Sequence, residues 1–435
     1  KWMLSDEQFM KTQFWINRMA LRATYGITGN SPAPGTASSY DVMVNQNSGF
    51  LPGGNGLRIA TAANPKLTWE STRTLNLGFD ATLFNNRVNA SVDVYRKTTD
   101  NLLGNLTVNP FTGYSAIVGN FGDMENKGIE VSLNTINVQS GDFSWNSTVA
   151  LGYNKNTVTK LNNPLAITTG DQQASSSFVT GYAAFSLFAY RFAGLDNMGD
   201  PQIMLNDKSI TKLPNVSKPE DIVFMGTYQP VWSGGFTNTF RYKGLTLTAN
   251  MIYNLGHVMR RDVGPNYFLG GGYTGRMINH GNILSLSDNS GFYAQLHPDF
   301  LKRWKTAGDE AFTNVPSYVA NASESSTRRH ISYYTRGDLN VESASFIKLR
   351  DITLIYSLPR HLISRLRTDM ISFRVQVSNI MLWKANNSGI DPEFQNAAYG
   401  SRVPSTPSQT DPNVNTQSYR FGQGTITFGV HVNFQ

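Results

Sequence analysis

The chain has 435 residues, of which 40% are hydrophobic and only 15% are charged, whereas charged residues make up about 25% of typical soluble proteins. Cysteine is absent, which excludes disulfides, thiolate metal sites and cysteine nucleophiles. The formal net charge is +7, but the basic residues are scattered along the chain, so we expect no nucleic-acid partner. No apolar run reaches the roughly 18 residues of a transmembrane helix.

The first residues are polar and do not form a signal peptide. If the protein is exported, we therefore expect these residues to be a downstream part of a longer polypeptide. Ser5 to Gln8 resemble a capping box and predict a short helix over residues 5–12. We assign residues 1–14 to a turn with this short helix and residues 15–435 to an all-β region.

The clearest element is a hairpin between Leu75 and Tyr95. Apolar side chains alternate with polar ones along both arms, and this period of two predicts strands. Each arm has about ten residues, which suits a tilted strand that crosses a bilayer. A single hairpin of this kind is more typical of a soluble two-sheet sandwich than of a membrane protein.

The same alternation recurs along the whole chain and gives about ten strands. The stretch 346–356 is imperfect, because Lys348 and Arg350 share a face with Ile352. In chain order the predicted strands are residues 15–28, 75–83, 88–95, 128–134, 143–154, 232–242, 245–253, 346–356, 371–378 and 425–434.

Short and long connections alternate between these strands. The short ones are residues 84–87, 139–142, 243–244 and 358–370, and the long ones are residues 29–67, 98–125, 157–231, 256–342 and 384–419. Short turns on one rim and long loops on the other are typical of an outer-membrane barrel, with the long loops outside the cell and residues 1–14 in the periplasm. We therefore predict a transmembrane antiparallel β-barrel with long extracellular loops. An open sheet cannot sit in lipid, so another part of the same polypeptide or a separate chain must close the barrel.

Five stretches of the chain resemble the C-terminal part of the SusC/RagA family of TonB-dependent outer-membrane transporters of Bacteroidetes. They are residues 21–30 (LRATYGITGN), 64–70 (NPKLTWE), 120–130 (NFGDMENKGIE), 303–310 (RWKTAGDE) and 345–354 (SFIKLRDITL). Any one of them is weak, but together they follow the family's order across nearly the whole chain.

The resemblance implies a barrel of about 22 strands, of which this chain supplies roughly strands 13 to 22. It also implies an N-terminal plug domain, the TonB complex and a SusD-like surface lipoprotein as partners, in an outer membrane of lipid and lipopolysaccharide. The implied function is the import of nutrient oligomers, either glycans or peptides. An alternative is a barrel part whose loops mainly dock a lipoprotein or a glycan-processing enzyme.

Six charged side chains on the inward faces of the strands are candidates for a substrate path. They are Arg18, Arg22, Asp80, Asp93, Glu130 and Arg374. A polar lumen or ion pairs with a plug would explain them equally well. The loop aromatics Tyr267, Phe268, Tyr273, Trp383 and Tyr399 suit sugar stacking or lid contact, but also a membrane belt.

Nothing in the sequence indicates an enzyme, a cofactor or a metal site. The six histidines lack metal-ligand spacing, and the glycine runs at 53–56 and 270–272 have no following helix to cradle phosphate. Residues 196–200 (DNMGD) lack the spacing and terminal Glu of a calcium loop, so we interpret them as a turn.

Overall fold

The computed structural model describes residues 1–32, 40–47, 55–109, 111, 116–162, 167–176, 178–261, 263, 298–319, 327–363, 368–394 and 424–434. The strands in this part of the chain are β1 (Trp2–Met3), β2 (Ile16–Asn30), β3 (Val42–Asn47), β4 (Asn55–Thr61), β5 (Glu70–Leu83), β6 (Val88–Thr107), β7 (Ala116–Ser140), β8 (Phe143–Leu161), β9 (Ser186–Tyr190), β10 (Phe192–Leu195), β11 (Pro201–Met204), β12 (Ile210–Thr211), β13 (Ile222–Thr227), β14 (Trp232–Tyr242), β15 (Leu245–Leu255), β16 (Val258–Arg260), β17 (Val341–Ser343), β18 (Phe346–Ser357), β19 (Thr368–Lys384) and β20 (Thr425–Phe434).

The helices are short. Those whose bounds lie within the described residues are α1 (Gly170–Ser175), α2 (Ser332–Thr335) and α3 (Arg360–Ile363), together with 3₁₀ turns at Leu4–Asp6, Gln8–Met10, Pro219–Asp221, Pro298–Lys302, Asp309–Ala311, Asp338–Asn340 and Pro392–Phe394. None of the described helices has the length and hydropathy to cross a membrane.

One large antiparallel sheet, which we call the wall, dominates the fold. Its strand order is β1-β2-β5-β6-β7-β8-β14-β15-β18-β19-β20. The ten long strands of this order are the ten that the sequence predicts, and β1 adds only two residues at the edge. Among the described residues β20 pairs only with β19, so the described strands form a sheet with two ends rather than a closed barrel.

The wall has an apolar outward face and a polar inward face. Leu77 is 54% exposed and Phe428 is 75% exposed on the outward face. Two aromatic pairs lie on this face near its two rims: Trp145 stacks on Phe240 at 5.5 Å near the short turns, and Tyr153 contacts Trp232 at 4.6 Å near the long loops. This arrangement matches the aromatic girdles that flank the apolar band of membrane barrels.

The short turns adopt the backbone conformations that their residues favour. Asn85 and Asn86 have positive φ, as does Phe84, and the second turn places Gly141 at φ +54°. The turn between β14 and β15 places Lys243 at φ +53°. These tight turns fix the register of each hairpin, and with it the face on which every side chain lies.

The predicted helix over residues 5–12 is wrong. Two 3₁₀ turns occupy this stretch, and neither has a side-chain cap. The Ser5 hydroxyl donates to the Asp6 carboxylate instead, and the Trp2 indole donates to Glu7. The Ser5 hydroxyl is thus bonded to a neighbouring carboxylate rather than to a backbone amide, and the predicted capping contact does not form.

The predicted loop over residues 98–125 is also largely wrong, since β6 continues to Thr107 and β7 begins at Ala116. Register shifts between Thr99 and Leu103 interrupt the pairing, and the Asp123 carboxylate accepts from the amide of Asn101 at 2.9 Å. Backbone pairing continues here without an apolar alternation, which is why the pattern missed it. Residues 29–67 likewise contain the β3–β4 hairpin.

The imperfect alternation of residues 346–356 has a simple cause. Met251 pairs with Leu349 and Asn250 pairs with Asp351. Arg350 is therefore an extra residue in β18, and it forms a β-bulge between β15 and β18. A bulge shifts the following side chains to the opposite face. Lys348, before the bulge, therefore points inward and is fully buried, whereas Ile352, after the bulge, points outward.

The hydrophobic core lies outside the wall. It is formed by the described parts of residues 167–230 and 256–344, which we call the loop region. One cluster joins Tyr190, Ile203 and Tyr333, and another joins Val315 and Tyr334. Strand β9, within the stretch that the sequence left undecided, is buried at every residue because it pairs with β13 inside this region.

Candidate functional site

An ion network centred on Arg22 lies on the inward face of the wall. The Arg22 Nε atom lies 2.8 Å from Oδ2 of Asp80, and its Nη2 atom lies 2.9 Å from Oδ2 of Asp93. Because these residues belong to β2, β5 and β6, one guanidinium links three strands. Its planar fork suits two carboxylates better than an ammonium would.

A glycine makes this network possible. Gly78 lies between Arg22 and Asp93 in the register of the sheet. A Cβ atom at Gly78 would lie 2.7 Å from Cζ of Arg22 and 2.7 Å from Oδ1 of Asp93. The guanidinium therefore passes directly over this residue to reach the third strand.

Neighbouring side chains complete the network but leave it negatively charged. Ser91 donates to Oδ1 of Asp80 at 3.0 Å, and Asn76 donates to Oδ1 of Asp93 at 2.8 Å. Two carboxylates face one guanidinium, so one negative charge is in excess. The Oδ1 atom of Asn76 is buried without a hydrogen-bond partner among the described residues.

The structure brings together three of the six inward candidates. Arg18 is exposed opposite Thr82, and Glu130 is exposed opposite Asp93. Arg374 lies on β19 and donates to Gln376 at 2.8 Å. In the described part of the chain these three make no hydrogen bond or ion pair with the network, and a role of any of the six in a substrate path stays a prediction.

A second inward contact joins the wall to the loop region. The Tyr95 hydroxyl passes over Gly128 and donates to Asn154 at 3.1 Å. Asn156, two residues further along β8, accepts from the backbone amide of Ala184 at 2.6 Å. The polar inward face thus continues into the base of the loop region.

A buried ion cluster holds the loop region together around Asp200, which is fully buried. Its carboxylate contacts Lys212 at 3.1 Å and Arg328 at 2.8 Å. Burial alone would raise the pKa of Asp196, but hydrogen bonds from Lys212 and from two backbone amides outweigh it and hold the pKa below its usual value.

Residues 196–200 form a turn, in agreement with the sequence interpretation. Asp196 accepts from the backbone amides of Met198 and Asp200 at 2.9 and 2.8 Å. Lys212 lies against both carboxylates, where a cation would otherwise sit. The described residues contain no group of three or more His, Asp or Glu side chains placed to hold a metal.

Sequence reasoning missed the inward role of Lys348. Its ammonium lies 3.1 Å from Asp391, which is also fully buried, and it contacts Glu393 as well. Arg350 contacts Glu393 at 2.7 Å. The broken alternation at Lys348 and Arg350 was the signal in the sequence for this inward contact. Through these two residues the segment after β19 is bound to the wall.

An open pocket of about 720 Å³ lies in the loop region. Its charged lining consists of Arg261, Lys302, Arg303, Lys305, Asp299 and Asp309. Four cations face two carboxylates, and Arg261 pairs with Asp299 at 2.6 Å. This excess of positive charge suits an acidic or strongly hydrogen-bonding group.

Of the five loop aromatics, the structure describes Trp383 alone; the other four lie outside the described residues. Trp383 is opposite Ile347, which is in turn opposite Tyr253 on the outward face. It is 47% exposed there. This position favours the membrane-belt interpretation over sugar stacking.

Comparisons with known proteins agree with this geometry. A family model described as TonB dependent receptor-like, beta-barrel, matches residues 11–255. The chain is 28% identical to TonB-dependent receptor P39 of Formosa agariphila over 438 residues, covering 91% of this chain and 39% of that protein. It is 25% identical to TonB-dependent receptor SusC of Bacteroides thetaiotaomicron over 382 residues, covering 82% of this chain and 33% of that protein.

Solved structures show the same fold. The RagAB peptide importer in its closed-closed state is 22% identical, with a TM-score of 0.70 over 100% of this chain and 42% of the matched chain. The chain thus spans roughly two-fifths of the length of the proteins it matches. The resemblance to SusC/RagA transporters that the sequence predicts is confirmed.

Proposed function

Because the chain belongs to the TonB-dependent receptor-like β-barrel family of the outer membrane, we propose that it is the C-terminal barrel part of a transporter that imports nutrient oligomers. The observation that carries this proposal is the family match over residues 11–255, on a wall whose outward face is apolar and whose inward face is polar. The family is one of receptors rather than enzymes.

The rest of the transporter closes the barrel and fills it. The two ends of the wall support this, since an unpaired strand edge is unfavourable in hydrocarbon. A plug domain would lie against the inward face, where the Arg22 network has an excess negative charge and Asn76 has an unsatisfied acceptor. We therefore expect a basic side chain or another hydrogen-bond donor of the plug to contact this network.

Transport depends on movement rather than covalent chemistry. Substrate captured by the long loops and a lid enters when energy relayed through the TonB complex displaces the plug. The lid is a SusD-like surface lipoprotein. Exposed apolar side chains on the loop region support its docking there, namely Met204, Ile210, Leu213 and Val216.

The cargo is an oligomer of sugars or amino acids. One matched structure is the RagAB peptide importer, and another match is the TonB-dependent receptor SusC of Bacteroides thetaiotaomicron. The basic pocket of the loop region supports cargo that carries carboxylates or other acidic groups. Acidic glycans and acidic peptides are the two classes to compare.

Uptake by living cells tests the proposal. A strain that lacks the full-length gene is supplied with fluorescent acidic oligosaccharides or acidic oligopeptides, and is compared with the complemented strain. We expect uptake of one class to require both the gene and an intact TonB complex. The proposal would be overturned if the deletion strain took up both classes at the same rate as the complemented strain.

The alternative function, docking of a lipoprotein or a glycan-processing enzyme, is favoured only by the exposed apolar side chains of the loop region. Removing β11 and β12 from the full-length protein separates the two ideas. Docking as the main function requires that partner capture is lost with these strands. If the partner is still captured but uptake is lost, docking is excluded as the main function and import is the function that remains.

A further inference from the structure

We propose that a row of three basic side chains on the outward face of the wall binds the phosphate groups of a lipid in the outer leaflet. The three residues are Arg96 on β6, Lys127 on β7 and Lys155 on β8. We call them the basic row. The proposal needs only the outer-membrane location of the wall and not the import function.

The register of the sheet places the three side chains next to one another. Arg96 pairs with Lys127, and Lys127 pairs with Lys155. No bulge lies between this row and the apolar row of Val94 and Ile129. Since adjacent strands are about 4.8 Å apart, the three cations span about 10 Å of the wall, which matches a phosphorylated headgroup.

The basic row lies at the depth of lipid headgroups. Tyr153, which contacts Trp232 at 4.6 Å, belongs to the aromatic girdle near the long loops. Lys155 lies two residues beyond Tyr153, which is about 7 Å further along the strand towards that rim. The short turns lie at the other rim, so the basic row faces the outer leaflet.

Charge begins abruptly at this row. Between the two girdles, the outward positions of the described wall strands carry no Lys, Arg, Asp or Glu. Arg96 and Lys127 share one carboxylate, that of Glu125, and Arg96 lies 3.2 Å from it. Lys155 is exposed and has no ion-pair partner among the described residues. Three cations against one carboxylate leave two positive charges in excess.

The side chains are free to move towards a ligand. The Arg96 side chain is 61% exposed and that of Lys127 is 58% exposed, whereas Glu125 is 15% exposed. An arginine fork and two ammonium groups are well suited to phosphate oxygens. A lipid phosphate would compete with Glu125 for Arg96 and Lys127 and would pair with Lys155 directly.

The test uses the full-length transporter in detergent and a diphosphorylated lipid A, a phosphate-bearing glycolipid, as the probe. Native mass spectrometry measures how much lipid each variant retains. Replacing Arg96, Lys127 and Lys155 with Gln removes the basic row. We expect the apparent affinity to fall about 100-fold, about fivefold for each cation removed. The dephosphorylated lipid should bind the unmodified protein as weakly as the phosphorylated lipid binds this variant.

The matched control replaces Lys97, Arg241 and Lys243 with Gln, which removes the same charge elsewhere. Lys97 lies over the inward Tyr95 ring, and Lys243 lies in a turn at the opposite rim. This control should retain lipid as the unmodified protein does. Equal loss in both triple variants would overturn the proposal, because it would show an effect of net charge alone.

A gain of binding provides a second test if the triple variant fails to fold. Glu125→Gln frees Arg96 and Lys127 from their shared carboxylate, and we expect about fivefold tighter binding of the phosphorylated lipid. Unchanged or weaker binding would overturn the proposal. So would displacement of the lipid by millimolar inorganic phosphate, which would identify the row as a site for the free anion.

Discussion

The wall and the loop region use the same kinds of apolar residue in opposite surroundings. In the wall Val430 is 64% exposed and Leu77 is 54% exposed, whereas in the loop region Tyr190 is fully buried and Tyr333 is 1% exposed. The loop region folds as proteins in water do, with apolar side chains inside. The wall places them outside because its solvent on that side is hydrocarbon. Large apolar side chains therefore form a buried core in the loop region, whereas in the wall they face lipid.

The two regions also treat charge differently. The loop region buries Asp200 completely and surrounds it with Lys212 and Arg328. The wall keeps its ion network on the inward face, where Arg22 and its partners remain partly exposed. The buried cluster must be fully paired to be tolerated. The inward network has no such constraint, because its charged groups remain partly exposed.

We expect the largest loss of stability from a substitution in the core of the loop region. Tyr190→Ala removes a buried ring that contacts Tyr333 at 4.9 Å, and we expect a loss of about 3–5 kcal/mol in the stability of that region. Amide hydrogen exchange of the full-length protein would show faster exchange in β9 and β13, with β5 and β6 unchanged. Equal acceleration in the wall would contradict the separation of the two regions.

The control for this variant is Tyr190→Phe. It keeps the ring and removes only the hydroxyl, which lies 3.2 Å from Asp171. We expect a loss of about 1 kcal/mol from this single hydrogen bond.

The converse experiment places a charge on the outward face of the wall. Leu77→Arg puts a guanidinium in the apolar band, and we expect a loss of about 2–4 kcal/mol. Asn89→Arg places the same side chain on the inward face, where we expect little change. Urea unfolding of the full-length protein in lipid vesicles measures both. Equal losses would mean that the two faces are not distinguished by lipid.

We also expect the stability of the loop region to fall at acidic pH. Burial lowers the pKa of His257 in the loop region to about 4, and it also lowers the pKa of His330. A histidine with a lower pKa in the folded state contributes its full stability above its unfolded pKa of about 6.5, and loses it as the pH falls towards 4. We expect the loop region to lose about 3 kcal/mol over this range from His257.

Hydrogen exchange in β16 and β17 as a function of pH measures this loss. In His257→Gln the slope between pH 6.5 and 4 should shrink to the part that His330 contributes. An unchanged slope would show that His257 is not its source.

The smallest predicted effect concerns the crossing of Arg22 over Gly78. Gly78→Ala pushes the guanidinium away from Asp93, and we expect a loss of about 1–3 kcal/mol from this overpacking. Gly26→Ala on β2 is the control, since nothing lies within 4 Å of an added Cβ there. Urea unfolding in vesicles compares the two. A control variant as unstable as Gly78→Ala would attribute the loss to the backbone rather than to the network.

Much of the wall was predictable because its physics is local. A period of two identifies a strand and its two faces wherever one face meets lipid, as it does from Leu75 to Leu83. That is why the ten wall strands and the inward positions of Arg22, Asp80 and Asp93 follow from the sequence. The continuation of β6 to Thr107 does not, because strand pairing there has no apolar face to reveal it.

The meeting of particular side chains was not predictable. Arg22 reaches Asp93 only because the register places Gly78 between them. Lys348 turns inward only because of the bulge at Arg350. Both depend on pairings between strands, and a period within one strand carries no information on these.

The sequence by itself determined the class of fold, the alternation of short and long connections, and the family resemblance. These follow from side-chain periodicity, turn residues and motifs that each lie within a short stretch. Only the tertiary structure decided that the described parts of residues 167–230 and 256–344 pack against one another, and that Arg96, Lys127 and Lys155 form one row. Contacts between distant segments are set by register and packing across the whole sheet, and these are properties of no single segment.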